Sequence, residues 1–236
     1  MEIIPRFTFV HPGTMGVYGK SLSGKTTFVA KLILQRDVMY RLPDQQRFKS
    51  VWIFHGTASQ PLYEILKQTD PSIVFYRGFS KVPMEEVIGV EQRPALVFID
   101  DQEDLLNNGD DILKNLVTRD SHHLDMSVII TFQSLFPSGR EAVNIQRQFD
   151  EYVFFAFAGV NNMKLKFEKL AGNGKVASEL VKVWTNWTKP RGGYMVLDLH
   201  PDKLEEHRLF VAWTLIFPDD QETGVRVVRK KETGGW

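Results

Sequence analysis

The sequence predicts a three-layer α/β domain built on a mainly parallel central sheet. Three observations predict it. The runs Ser50-Val-Trp-Ile-Phe-His55, Ala95-Leu-Val-Phe-Ile-Asp100 and Ser127-Val-Ile-Ile-Thr-Phe132 lack the strict polar alternation of a strand with one wet face. Such runs are expected where helices cover both faces of a sheet. They alternate with helical stretches through about the first 160 residues. Glycine-rich or polar residues follow the ends of several strands, the edge at which open α/β sheets bind ligands.

The elements follow in order. Phe7-Thr-Phe-Val10 reads as a short strand, broken by His11-Pro12-Gly13. Thr14–Tyr18 reads as the next strand, and a glycine-rich loop covers 19–24. A helix is expected from Lys25 to about Arg36, burying Phe28, Val29, Leu32 and Ile33. The strand at 50–55 is rich in β-forming residues. A helix at 61–68, a strand at Ser72–Tyr76 and a short helix at 83–89 come next. Pro94 introduces the strand 95–100, and a helix is expected near 103–118. Strands at 127–132 and 151–157 precede helices near 161–171 and 175–188. Tyr194–Leu199 and Leu209–Phe217 are two late strands suited to a hairpin. The 236 residues suit one domain over 1–236, with its core at about 14–160 and an extension of the same domain at about 161–236.

Composition narrows the function. Lys and Arg number 29, as do Asp and Glu, so the net charge gives no basic stripe for wrapping duplex DNA. Local cations inside a ring remain compatible with that balance. The absence of cysteine excludes disulfides, thiolate nucleophiles and Cys-type zinc sites. No apolar run reaches the ~18 residues that span a bilayer. The amino-terminal stretch lacks the basic and apolar regions of a secretory signal. A soluble intracellular protein without a membrane partner is expected.

Gly19-Lys20-Ser21-Leu22-Ser23-Gly24-Lys25-Thr26 matches G-x-x-x-x-G-K-[ST], with Thr27 following. Each part has a physical task. Glycines permit positive φ and let backbone N–H groups approach phosphate oxygens. The helix that follows directs its positive end at the same anion. Lys25 is expected to reach the β- and γ-phosphates, and the Thr26 hydroxyl to ligate Mg²⁺. The bland alternative is a glycine-rich surface turn, disfavoured by the strand before it and the helix after it.

Asp100 and Asp101 end an apolar strand about 75 residues later. An acid at such a strand end holds Mg²⁺ beside a nucleotide. Asp100 is expected to hold the metal through water. Asp101, or Glu103 as the substitute, is expected to polarise the attacking water. A helix-capping Asp is the bland alternative. Gln133 ends the next strand, where its amide can donate to a phosphate and accept from a water at once. Ring ATPases often complete their sites with an arginine from a neighbouring subunit. Arg119 ranks first for that role, before Arg140 and Arg147; a solvated cation near a helix end is the competing reading.

His122 and His123 are adjacent and have no evident third ligand, so a loop or helix-end role is expected. Trp184 and Trp187 lie three apart on a helix, the spacing of core packing. Val225-Arg226-Val-Val-Arg229-Lys230-Lys231 is a local basic cluster that fits either DNA phosphates or a solvated terminal segment.

Together, Gly19–Thr27, Phe98-Ile-Asp-Asp101 and the stretch from Thr118 to Phe136 resemble the viral genome-packaging ATPases of the FtsK–HerA superfamily. The resemblance is to the poxvirus-like packaging group of double-jelly-roll DNA viruses, virophages and related mobile elements. It covers about residues 14–160, and Ser121–Phe136 is its most telling part. It implies a RecA-like P-loop NTPase core that forms a ring, a pentamer or hexamer. The ring would pull double-stranded DNA into a preformed capsid by hydrolysing ATP, docked at a capsid or portal vertex. It implies a place in the host-cell interior, cytoplasm or nucleus, and in the virion. It also implies the corresponding site roles for Lys25, Thr26, Asp100, Asp101 and Gln133. Asp101 departs from the Glu common in the wider superfamily, although paired Asp occurs in the viral branch.

Two other classes stay open. One is a different P-loop enzyme such as a nucleotide or small-molecule kinase, although no arginine-rich lid is visible. The other is a non-hydrolysing, nucleotide-gated interaction protein. A GTPase is disfavoured because no N-K-x-D motif occurs.

Overall fold

The computed structural model describes residues 8–56, 60–102, 104–105, 108–136, 140–203, 208–212 and 224–226, with backbone only at 45, 140–142, 212 and 224–226. The strands are β1 (Phe9–Val10), β2 (Thr14–Tyr18), β3 (Tyr40–Arg41), β4 (Ser50–His55), β5 (Ile73–Arg77) and β6 (Ala95–Asp100). They continue with β7 (Met126–Phe132), β8 (Glu151–Phe154), β9 (Tyr194–Asp198), β10 (Leu209–Ala212) and β11 (Gly224–Arg226). Nine of them form one sheet in the order β11-β10-β9-β8-β2-β7-β6-β4-β5. The six from β8 to β5 run parallel. The other three are antiparallel, with β9 on β8, β10 on β9 and β11 on β10. The late pair at 194 and 209 is therefore antiparallel, as the sequence suggests.

The helices are α1 (Lys25–Leu34), α2 (Arg36–Met39), α3 (Pro61–Thr69), α4 (Met84–Val87), α5 (Asp111–Asn115) and α6 (Ser121–His123). Then come α7 (Arg140–Gln146), α8 (Val160–Ala171) and α9 (Gly174–Trp187). Side chains alternate across a strand, so each central strand feeds two cores. In β6, Val97 and Ile99 meet Leu113 and Leu116 and belong to the core that also holds Phe167 and Trp184. Leu96 and Phe98 point the other way, into the core of Phe28, Val29 and Ile33 from α1 and Tyr63 and Leu66 from α3. Those two cores are the outer interfaces of the three layers. The burial of Trp184, which donates to the Phe155 carbonyl at 3.0 Å, fits the packing role read from its spacing. No helix among the described residues is long and apolar enough to cross a membrane.

Several expectations need correction. The short strand expected over 7–10 is β1 at Phe9–Val10, which pairs with β3 in a separate two-stranded sheet. The first helix ends at Leu34, and α2 begins after Gln35. The strand expected over 151–157 ends at Phe154. The helix expected near 103–118 is divided. Residues 104–105 are helical, with the Asn108 N–H donating to the Asp104 carbonyl at 3.0 Å. A separate helix begins at Asp111, capped by Asp110, whose carboxylate accepts from the Leu113 N–H at 2.8 Å. Leu116–Asp120 is a π turn that carries the chain into α6. The carboxy-terminal half of the strand expected over 209–217 lies outside the described residues, as does the basic run Arg229–Lys231.

Candidate functional site

The site forms where the parallel strands end. β2 runs directly into the glycine loop, whose first amide, Gly19 N–H, donates to the Phe132 carbonyl at the end of β7 at 3.1 Å. The loop is tight. A Cβ on Gly19 would fall 2.3 Å from Ser23 Oγ and 2.9 Å from Phe155 Cβ, so only glycine fits. Gly24 takes φ +106°, the turn that starts α1 at Lys25. Leu22 is left-handed at φ +62° and 93% exposed at the loop's tip. Lys25 folds back into the loop and donates from Nζ to the Gly19 and Lys20 carbonyls at 2.6 and 2.9 Å. The loop thus curls around an ammonium, and the amino-terminal N–H groups of α1 open onto the same place.

Asp100 lies at the centre of the arrangement, and strand parity explains how. Along β6 it shares a face with Leu96 and Phe98, the face on which α1 and α3 pack. Thr131 of the neighbouring β7 shares that face with Ile129. Three hydroxyls therefore converge on one carboxylate that is 3% exposed. Thr131 Oγ1 donates to Oδ1 at 2.5 Å, Thr26 Oγ1 to Oδ2 at 3.4 Å, and the Tyr63 phenol also donates to Oδ2. Burial first, then the Asp100 carboxylate, raise the Tyr63 phenol well above its ordinary range, which holds it as a donor. Among the described residues no cation is paired with Asp100.

Asp101 follows at φ +56°, its N–H donating to Thr131 Oγ1 at 3.3 Å. Its exposed carboxylate accepts from Gln133 Nε2 at 3.0 Å, and Gln133 Oε1 accepts from Ser21 Oγ at 3.0 Å. An amide that donates to one neighbour and accepts from another ties the two strand ends to the loop.

Of the sequence-predicted residues, the structure brings together Gly19 to Thr26, Asp100, Asp101 and Gln133. It does not bring Arg119 to them. Arg119 lies in the π turn before α6, at the end of the sheet where β7 begins, and β7 spans about 20 Å. There it is exposed and donates from Nε to Asp120 at 2.7 Å. Glu103 lies outside the described residues, as does the side chain of Arg140. Sequence reasoning missed Tyr63 and Thr131. Strand parity could have found Thr131, but nothing local to α3 marks Tyr63.

Buried Asp100 and Thr26 offer hard oxygen donors without a cation partner, which fits Mg²⁺. Among the described residues no group of three or more His, Asp or Glu is placed to hold a metal on its own.

The fold and this strand-end loop define the class: a three-layer P-loop NTPase fold. Among solved structures, the chain is similar to the genome packaging NTPase B204 from Sulfolobus turreted icosahedral virus 2. Against its complex with AMP the TM-score is 0.52 at 13% identity, covering 80% of this chain and 93% of that one. Against its complex with ATP-gammaS the TM-score is 0.52, and against that with AMPPCP 0.51, each at 13% identity over 85% of this chain and 96% of that one. At this identity the likeness is one of fold. No protein-family model and no curated protein matches the sequence.

Proposed function

We propose that this chain binds ATP with Mg²⁺ in the loop 19–26 and hydrolyses it, and that a ring of copies uses the hydrolysis to drive double-stranded DNA into a viral capsid. The observation that carries the first part is the convergence of three elements on one sheet edge: the Lys25 loop, the Thr26–Asp100 contact and the Ser21–Gln133–Asp101 chain. Support for the motor comes from the resemblance of Ser121–Phe136 to packaging ATPases and from the fold shared with a packaging NTPase.

Loop amides and the start of α1 hold the phosphates. Lys25 exchanges two loop carbonyls for β- and γ-phosphate oxygens and so neutralises charge where it develops. Thr26 and, through water, Asp100 would hold the metal, which when bound supplies further neutralisation of the triphosphate. Asp101 accepts a proton from the attacking water as the water oxygen bonds to the γ-phosphorus and the bond to the β,γ-bridging oxygen breaks, releasing ADP. Gln133 fixes the Asp101 carboxylate and reads the γ-phosphate. Arg119, remote from its own loop, serves the site of a neighbouring copy.

The test is the ATPase rate with and without duplex DNA, for wild type and Lys25→Ala. Turnover stimulated by DNA and lowered about a hundredfold or more in the variant is expected. Tight ATP binding without turnover would favour a nucleotide-gated binder, and phosphoryl transfer to a small molecule would favour a kinase.

A further inference from the structure

An aspartate carboxylate is free to turn about χ2, a broad two-fold torsion. A buried metal-holding aspartate therefore needs both oxygens fixed. Here β7 fixes one, through the Thr131 bond to Oδ1 at 2.5 Å. The other is fixed by an element outside the motifs. Tyr63, one turn into α3, is buried and aims its phenol at Oδ2, the oxygen that also faces Thr26. Its ring is wedged between His55, at 5.2 Å between centroids, and Phe75, at 5.8 Å. His55 ends β4 beside Asp100 in register, so the wedge belongs to the same strand-end row. The phenol consequently has a fixed approach to Oδ2.

We infer that Tyr63 is a positioning residue for the metal: its hydroxyl, with that of Thr131, locks the Asp100 carboxylate in one orientation beside Thr26 Oγ1. The geometry supports this over simple core packing. With the Tyr63 hydroxyl taking Oδ2, Thr26 stays at 3.4 Å, too long for a strong O–H···O bond. Without the phenol, Oδ2 loses its buried donor and the carboxylate is free to turn away from the position where, with Thr26 Oγ1, it faces the metal. Hydrogen bonds behind a metal's direct donors commonly set affinity within a factor of about 10–100. The inference rests on the proposed nucleotide site.

The experiment uses the full chain and Mn²⁺ as the probe. Mn²⁺ is titrated into protein saturated with ADP, and free Mn²⁺ is read by its electron paramagnetic resonance signal. ADP affinity is measured separately in EDTA. Tyr63→Phe keeps the ring wedge and removes only the hydroxyl. The expected result is a Mn²⁺ affinity weakened about tenfold with ADP affinity in EDTA unchanged. Incorporation of 3-fluorotyrosine at position 63, which keeps the donor, is expected to restore wild-type affinity. Equal Mn²⁺ affinity in wild type and Tyr63→Phe overturns the inference and leaves the nucleotide site standing. Loss of ADP binding in EDTA by Tyr63→Phe also overturns it, since the hydroxyl would then serve the loop's packing. Absence of ADP binding in the wild type overturns both readings.

Discussion

Two acidic clusters sit at opposite ends of the same sheet. At the carboxyl ends of the strands, Asp100 is buried among the hydroxyls of Thr26, Tyr63 and Thr131. At the other end, Glu151 of β8 faces Asp198 of β9 as its register partner. There Lys203 pairs with Asp198 at 3.0 Å, and its Nζ also donates to the Thr8 carbonyl. Burial first, then the Asp198 and Asp150 carboxylates, push Glu151 well above the usual carboxylate range. Burial likewise raises Asp198, against the pull of Lys203. The second cluster has its cation in the chain. The first has hydroxyl donors and, among the described residues, no paired cation. A carboxylate surrounded by hydroxyls is prepared for a cation from outside, whereas one closed by a lysine belongs to the scaffold.

The largest expected effect breaks the first cluster. Asp100→Asn is isosteric and keeps an acceptor for Thr131, so the fold should hold. Steady-state ATPase is expected to fall about 10²–10³-fold, since a charge aimed at the phosphate–metal site is lost. The melting temperature in EDTA should stay level or rise, because a buried carboxylate without a cation has been removed. A melting temperature lowered as far as by a core truncation would place Asp100 with the scaffold instead.

The second test acts on the other cluster and should show the reverse pattern. Lys203→Met leaves Glu151 and Asp198 buried together without their cation. Breaking a buried pair costs about 3 kcal/mol, read by urea unfolding near neutral pH. The pH dependence has a definite sign. Both carboxyls have folded pKa values raised above their unfolded ones. Their protonation stabilises the folded state at low pH, and that contribution is lost as pH rises through the folded values. The deficit of Lys203→Met should therefore grow from acid toward alkaline pH. ADP affinity at the far end of the sheet should be unchanged.

The difference between the clusters also explains what the sequence makes legible. Gly19–Thr26 is contiguous, so its loop geometry follows from local chemistry alone. Asp100 and Gln133 are readable because each ends an apolar run, and such runs announce doubly covered strands. The Glu151–Asp198 pair joins positions far apart along the chain, and only the antiparallel β8–β9 register creates it. Tyr63 is hidden for the same reason, being 37 positions from Asp100 on a helix with no motif. Near-neighbour chemistry missed a break in one helix. The stretch after Asp101 is helical at 104–105, but the chain turns at 108–109, and Asp110 caps a separate helix behind the turn. The pairing of β1 with β3, two residues each, is too short to leave a pattern.

The smallest effect sharpens the comparison by testing a buried ionisable group that belongs to neither cluster. Lys166 of α8 is buried, donates to Gln146 Oε1 at 2.7 Å and lies 4.6 Å above the Tyr18 ring and 5.8 Å from that of Tyr152. Tyr18 is the last residue of β2 before the phosphate loop, so this amine sits beneath the strand that carries the site. Burial first, then the Lys169 charge, lower its pKa from 10.5 to about 7. Between those two values the unfolded chain binds the extra proton and the folded one does not, so stability rises with pH across that window. Below about pH 7 the full cost of keeping or discharging a buried ammonium is present. Lys166→Met fills a similar volume without the charge. It is expected to be more stable than wild type by about 1–2 kcal/mol at pH 7, with the gap closing as pH approaches 10. Urea midpoints measured from pH 6 to 10 for both proteins give the gap directly. If the curves run parallel, the ammonium is already well housed by the rings and the amide. If ADP affinity falls as well, then α8 supports the phosphate loop through Tyr18, and the division between site and scaffold moves inward to β2.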